Sequence, residues 1–407
     1  MVKVVFVGVG GYGDLYLTLY NSSDRYAQKM EIAAVVDPYV EKAAKYEWIK
    51  QRQIPVFNTL EDFFKENSAD LVIISTPLQL HKQQCVIALK NGANVLCEKP
   101  LVPVVQDLIE IEEAQKSSGK RLGVGFQWSF SKTMTGLKSD ILKGRFGKPL
   151  ELKSLICWKR FDDYYSSSTW KGKLKDRNGN WILDSVVTNA TAHYLHNIFF
   201  VLGSRMDAAA MPVQVRAEVY RAKPIESFDT VVLSGGFENG AKFWYGATHS
   251  GDLKDVTKFL YRFEKADICF NIDKIDDHVY ANFHDGKVVD YGNPQSFEEL
   301  HPKFMTMIDA CINPDTVIPC CIETIKPHLK VCNGLFGVAG INNIPKDLIF
   351  ETGEPKGVFA RRVQGDMQRL FETMQLPYEA GCSWASPFTT FRPEEITQLI
   401  SIKENKR

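Results

Sequence analysis

The sequence lacks the features of a membrane, disulfide-framed or nucleic-acid-binding chain. No apolar run approaches the roughly 20 residues that span a bilayer. The N-terminus, Met1 to Gly13, is apolar but short and has no small-residue cleavage site, so it reads as a first strand rather than a signal peptide. Neither sign of charge prevails. Lys and Arg number 49 and Asp and Glu number 49, which speaks against nucleic acid or an anionic membrane as partner. The nine cysteines are odd in number and form no C-x-x-C pair and no zinc-site spacing with histidine. They read as reduced cysteines of a cytoplasmic protein, and no metal is expected. There is no internal repeat, no low-complexity stretch and no serine in a nucleophile-elbow context.

What is present is an ordinary globular composition. The 407 residues are 44% hydrophobic and 24% charged, enough for two domains with a sizeable core. Residues 1–125 alternate short apolar runs (Val2–Val7, Ile32–Val36, Leu71–Ser75, Ala93–Cys97, Arg121–Phe126) with amphipathic stretches, the pattern of βαβ units and a parallel sheet. From about residue 148 to 300 the alternation turns β-like: Leu150–Trp158, Val213–Tyr220, Thr230–Phe237, Lys242–His249, Phe259–Glu264, Ile268–Asn271 and Lys287–Asp290. A strongly helical stretch, Asp184 to Leu202, interrupts these runs, and helices are expected at Phe297–Cys311 and Ile322–Phe336. The expected fold is α/β. An N-terminal doubly wound parallel sheet (1–125) precedes an α+β domain (126–345) with a large, mostly antiparallel open sheet. A helix over 130–143 packs at their junction, and 346–407 is a C-terminal extension with a weak helical signal at 358–374.

The first run ends in Gly8-Val9-Gly10-Gly11-Tyr12-Gly13, a G-x-G-x-x-G lying between an apolar strand and a helical pattern. Gly8 permits the tight turn, Gly10 lets a pyrophosphate approach the backbone, and Gly13 lets helix and strand pack. The second run ends in Asp37, whose carboxylate suits both hydroxyls of an adenosine ribose and repels a 2′-phosphate. Pro38 and Tyr39 follow, with no Arg or Lys to receive that phosphate, so the expected cofactor is NAD.

Further on come Ser75-Thr76-Pro77-Leu78-Gln79-Leu80-His81, Cys97-Glu98-Lys99-Pro100 and Gly123-Val124-Gly125-Phe126-Gln127. In this order the motifs resemble the Gfo/Idh/MocA family of nicotinamide-dependent oxidoreductases, strongly over 1–145 and more loosely beyond. The resemblance implies a Rossmann fold for the first domain. It implies cofactor contacts from Gly8, Gly10, Gly11, Tyr12, Gly13, Asp37, Ser75, Thr76, Pro77, His81, Glu98, Lys99 and Gln127. It also implies a cis bond before Pro100, and a Lys99 that lies beside the nicotinamide and bonds the reacting hydroxyl. His81 has two readings, a residue of that pocket or a core histidine.

In the second domain the family carries a helix D-x-G-x-H-x-x-D with a glycine ten residues after the histidine. His193 and Gly203 match that spacing. Asn189 stands where the family often has Asp, Thr191 replaces the glycine, and His196 takes the second acidic position. Spacings of four and three put Asn189, His193 and His196 on one helix face. His193 is thus the expected acid–base partner of Lys99, and the two groups are expected to converge on the nicotinamide. His196 reads equally as a structural histidine. Trp158, Lys159, Arg160, Tyr164, Tyr165, Trp170, Lys171 and Trp181 form an aromatic and basic segment. It suits a sugar, whose C–H face stacks on aromatic rings, or is a solvated loop with aromatic anchors. His249 is a further pocket candidate.

The function these residues imply is hydride transfer between a secondary alcohol of a sugar or polyol and NAD, with Lys99 and His193 catalytic. Trp158, Arg160, Tyr165, Trp170, Asn189, His193, His196 and Lys99 are the candidate substrate contacts. Two alternatives stand beside it: redox-neutral glycoside hydrolysis through transient sugar oxidation, and a non-catalytic NAD sensor. The resemblance also implies a homodimer or homotetramer, since the family's open-faced sheet commonly makes one.

Overall fold

The computed structural model describes residues 1–405. The chain divides into two compact units. One comprises Met1–Pro103, Asp107–Ser131 and Gln295–Glu323; the other comprises Val104–Gln106, Lys132–Pro294 and the chain from Thr324 onward. This division departs from the boundaries read off the sequence. Residues 295–323 join the first unit, and the C-terminal extension joins the second rather than standing apart.

The first unit is a parallel six-stranded sheet: β1 (Val2–Val7), β2 (Met30–Val36), β3 (Val56–Phe57), β4 (Leu71–Ile74), β5 (Asn94–Cys97) and β6 (Leu122–Val124), in the order β3-β2-β1-β4-β5-β6. β4 and β5 are buried along their whole length, as expected where both sheet faces are covered. The order reverses between β1 and β4, and ligands of such sheets bind at the carboxyl ends of the strands beside that switch. The helix His301–Ile312 belongs here because its apolar face packs on the sheet. Phe304 meets the rings of Phe6, Tyr16 and Tyr26. The Tyr26 hydroxyl and His301 Nδ1 are 2.7 Å apart.

The second unit holds a ten-stranded, mostly antiparallel sheet. Its strands are β7 (Pro149–Cys157), β8 (Gln214–Arg221), β9 (Thr230–Gly236), β10 (Lys242–Thr248), β11 (Val256–Phe263), β12 (Ala266–Phe270), β13 (Val279–Phe283) and β14 (Val288–Asp290). The order is β14-β13-β12-β11-β7-β10-β9-β8, and short strands at Asn342–Asn343 and Thr389–Phe391 both pair β8. β7 and β10 run parallel to each other. Side chains alternate between the two faces. On one face Phe243, Tyr245 and Tyr261 meet the helix Ala192–Val201 and its lead-in, with Phe243 against Phe199, Tyr245 hydrogen-bonded to Thr191 and Tyr261 to Asn197. The other face, including Leu155, Val232, Trp244 and Leu260, packs against Leu348, Val363, Met367, Phe371 and Trp384 of the C-terminal extension. The sheet expected to be open is therefore covered by the chain's own tail.

The helix expected over 184–202 is interrupted. Ser185 caps a π-helical turn, Val186–Ala190, through a reciprocal box with Thr188, and the α-helix starts only at Ala192. A π-turn inserts a residue into the helical repeat, so Asn189 and His193 do not stand one α-turn apart. The helix expected over 130–143 is split into Gln127–Phe130 and Lys132–Leu142. All nine cysteines are free. Among the described residues no helix is long and apolar enough to cross a membrane.

Candidate cofactor site and acid–base residues

In the first unit the glycine loop has the geometry its sequence requires. Gly8 has φ +78°, and a Cβ there would lie 2.9 Å from Thr76 Cγ2. A Cβ on Gly13 would lie 1.9 Å from the Gly8 carbonyl oxygen, so loop and helix close up only with glycine. A Cβ on Gly10 would meet nothing within 4 Å, and Gly11, with φ +53°, is likewise open. The loop surface is thus free for a ligand to approach, and the helix Gly13–Ser22 begins behind it. Asp37 follows β2 and ties the loop down. Its Oδ2 accepts from the Val9 N–H at 2.9 Å and its Oδ1 from the Tyr39 N–H at 2.8 Å. A carboxylate offers about four lone-pair sites, which leaves acceptors for ribose hydroxyls.

Ser75 closes β4. Its hydroxyl is buried and takes no hydrogen-bond partner among the described residues. Such an orphan is costly unless a ligand or water meets it, and it stands beside Gly13 at the switch point. The residues present therefore fit a dinucleotide. Thr76 donates to Gln84 Oε1 at 2.6 Å, and Pro77 leads into a short 3-10 turn, Leu78–Leu80. His81 is buried, with Nε2 2.8 Å from the Thr76 carbonyl and Nδ1 2.9 Å from the Pro100 carbonyl. Burial lowers its pKa. It braces the Ser-Thr-Pro segment against the Glu-Lys-Pro turn, which answers the two readings in favour of a structural histidine.

Lys99 stands directly after β5 on the sheet's carboxyl edge, half-buried, and its bond to Pro100 is cis. Glu98 points inward. Its Oε1 accepts from the Tyr16 hydroxyl at 2.6 Å and from Lys303 Nζ at 2.5 Å. The Tyr12 hydroxyl donates to Gln127 Oε1 at 2.8 Å. The glycine loop, the end of β5 and the segment after β6 are thus joined by side chains. Lys303 was not anticipated. The available signal was a lysine between His301, Phe304 and Met307 on the apolar face of its helix.

In the second unit, of the ten residues Ala192–Val201 only His193 is not buried. Asn189 is half-buried, and its amide donates to the Tyr164 hydroxyl at 3.4 Å. His196 is enclosed, stacked on Phe200 with ring centroids 6.0 Å apart and near His328. Burial drives its pKa well down, with the neighbouring His328 adding to the effect. It is a core residue in this fold and does not share an open face with His193.

Beyond β7, Trp158 is fixed, donating from Nε1 to Thr257 Oγ1 at 2.6 Å with its ring edge-on to Tyr194. The Arg160 guanidinium lies over the Trp158 and Tyr164 rings, at 5.4 and 5.0 Å. Lys171 lies over Tyr164 at 4.3 Å. The Tyr165 hydroxyl is 3.1 Å from Nδ1 of His249, which follows β10. His249 is held neutral by burial, and its Nε2 takes no hydrogen-bond partner among the described residues. These contacts gather Trp158, Arg160, Tyr164, Tyr165, Asn189 and His249. Trp170 is linked to the group only through Lys171, which also approaches its ring, at 5.9 Å.

Residues 2–126 match the family model described as oxidoreductase family, NAD-binding Rossmann fold. An inositol 2-dehydrogenase from Streptomyces avermitilis is 31% identical over 153 residues, which are 37% of this chain and 44% of that protein. An inositol 2-dehydrogenase from Leifsonia xyli subsp. xyli is 28% identical over 277 residues, 64% of this chain and 80% of that one. The first curated relatives are aligned over about half of their length. Among solved structures, levoglucosan dehydrogenase in complex with NADH and L-sorbose superposes with a TM-score of 0.67 at 16% identity, over 82% of this chain and 95% of that one. That likeness is one of fold. Through residues 2–126 the chain is similar to the oxidoreductase family with an NAD-binding Rossmann fold.

Proposed function

We propose that the protein is an NAD-dependent dehydrogenase that oxidises a secondary alcohol of a sugar or polyol, or reduces the matching ketone. The observation that carries the reading is Lys99, on the carboxyl edge of an NAD-binding sheet directly after β5. NAD, when bound, supplies the hydride acceptor. The Lys99 ammonium bonds the substrate oxygen and lowers the cost of the negative charge that develops on it. His193, the one residue of its helix that is not fully buried, takes the hydroxyl proton. Asn189 cannot act as a carboxylate would to raise the basicity of that imidazole, so orientation is its contribution. Arg160, Tyr165 and His249 supply donors and an aromatic wall of the kind a polyhydroxylated substrate requires. The inositol 2-dehydrogenases among the relatives support the substrate class.

The test is a panel of inositols, monosaccharides, sugar acids and aryl glycosides, each incubated with NAD and followed by NADH absorbance. NADH formed with at least one polyol or sugar supports the reading. Free aglycone released without NADH build-up would replace it with redox-neutral glycoside cleavage. NAD binding with no turnover across the panel would favour a sensor.

A further inference from the structure

Lys303 lies in the first unit, on the helix His301–Ile312, far along the chain from the strands it touches. Its side chain is 1% exposed. Besides the 2.5 Å contact to Glu98 Oε1, Nζ donates to the Tyr12 hydroxyl at 3.3 Å. It also lies 4.9 and 5.0 Å from the ring centroids of Tyr12 and Tyr16. Burial alone lowers the pKa of such an ammonium, but Glu98 and Tyr12 outweigh it and the net shift is upward. Tyr12 and Tyr16 are both raised, by burial first, and so remain hydroxyl donors. The cluster is therefore one cation and one anion with two neutral phenols. The helix that carries it is anchored by the ring contacts of Phe304 and by Lys29 paired with Asp309 at 2.6 Å.

Two of the tethered segments are those that would meet a bound dinucleotide. Tyr12 belongs to the glycine loop, and Glu98 immediately precedes Lys99. We infer that Lys303 is a positioning residue of the NAD site, its ammonium clamped between the Glu98 carboxylate and the Tyr12 hydroxyl so that glycine loop and Glu-Lys-Pro turn are held in one arrangement. This rests on NAD binding and not on the proposed oxidation, so it stands or falls without a substrate. Without Lys303, the buried Glu98 carboxylate keeps the Tyr16 hydroxyl but loses its cation, which is costly, and either it or the loop must move.

The experiment measures NADH affinity by fluorescence titration on the full chain, with circular dichroism and thermal melting alongside. Lys303→Met is expected to weaken NADH about tenfold or more, the scale of a lost hydrogen bond to a charged group. Glu98→Gln combined with Lys303→Met relieves the unpaired charge but leaves the loop untethered, and is expected to recover affinity only part-way, to the level of Tyr12→Phe. A packing role alone would not be rescued by a change at Glu98. Tyr12→Phe keeps the ion pair and loses the loop's hydrogen bonds to Lys303 and Gln127; it is expected to weaken NADH about three- to tenfold with an unchanged melting temperature. NADH affinity unchanged in Lys303→Met, or a double variant as weak as the single one, overturns the inference. If Lys303→Met does not fold, Tyr12→Phe decides, and unchanged affinity there overturns it.

Discussion

Gly125 sits where the Glu98 carboxylate needs room. A Cβ at that position would lie 2.6 Å from Glu98 Oε2, too close for either to stay. Gly125→Ala is therefore expected to displace the carboxylate from Lys303 and Tyr16. A cost of about 1–3 kcal/mol in stability, the scale of overpacking, would appear in urea unfolding, together with weaker NADH binding. At this scale the sequence was legible where a residue type has few uses. Glycines at 8 and 13, where a Cβ would clash, and the aspartate after β2 announce a nucleotide loop because few other residues serve there. Lys303 was not legible, since nothing local distinguishes a buried lysine from one that reaches water along an apolar face. His196 shows the converse. Its spacing suggested a polar stripe, but the stripe exists only if the helix is regular, and the π-turn before it breaks that regularity.

Among the elements, the runs that became β1, β2, β4, β5 and β6 were readable because strands buried on both faces are continuously apolar. β3, two residues long, was too short to announce itself, and β13 was hidden by the polar Asn282 and the small Ala281. The weak helical signal at 358–374 resolves into a strand, Gly357–Ala360, and a helix, Val363–Thr373, so no single period could fit it. β8 carries a titratable consequence of tail docking. Glu218 is buried, accepts from the Tyr220 hydroxyl and the Tyr378 N–H, and burial lifts its pKa from 4.5 to about 7. A carboxyl with a raised folded pKa contributes its stability below about pH 4.5 and loses it as pH rises through about 7. Glu218→Gln, which cannot ionise, should therefore gain on the unsubstituted protein between about pH 5 and about pH 8. The gain is at most about 3 kcal/mol from a shift of this size. Urea midpoints at the two pH values measure it, and equal differences at both would contradict the assignment.

For the molecule as a whole, the tail is part of the second unit's core. Trp384 is fully buried, meets the Tyr220 ring at 5.0 Å and donates to Asp366 Oδ2 at 2.7 Å. Trp384→Ala is expected to cost about 3–5 kcal/mol, read as a lowered urea midpoint. A loss under 1 kcal/mol would mean that the tail is not needed to close the sheet. The covering also occupies the sheet face on which self-association was expected. Under the proposed function, holding the dinucleotide and doing chemistry with it fall to different residues. Lys99→Ala, assayed on a substrate that the unsubstituted enzyme turns over, tests that separation most directly. NADH affinity within about threefold of the original, with turnover down at least about a hundredfold, is the predicted result. Turnover that survives the loss of the ammonium would contradict it.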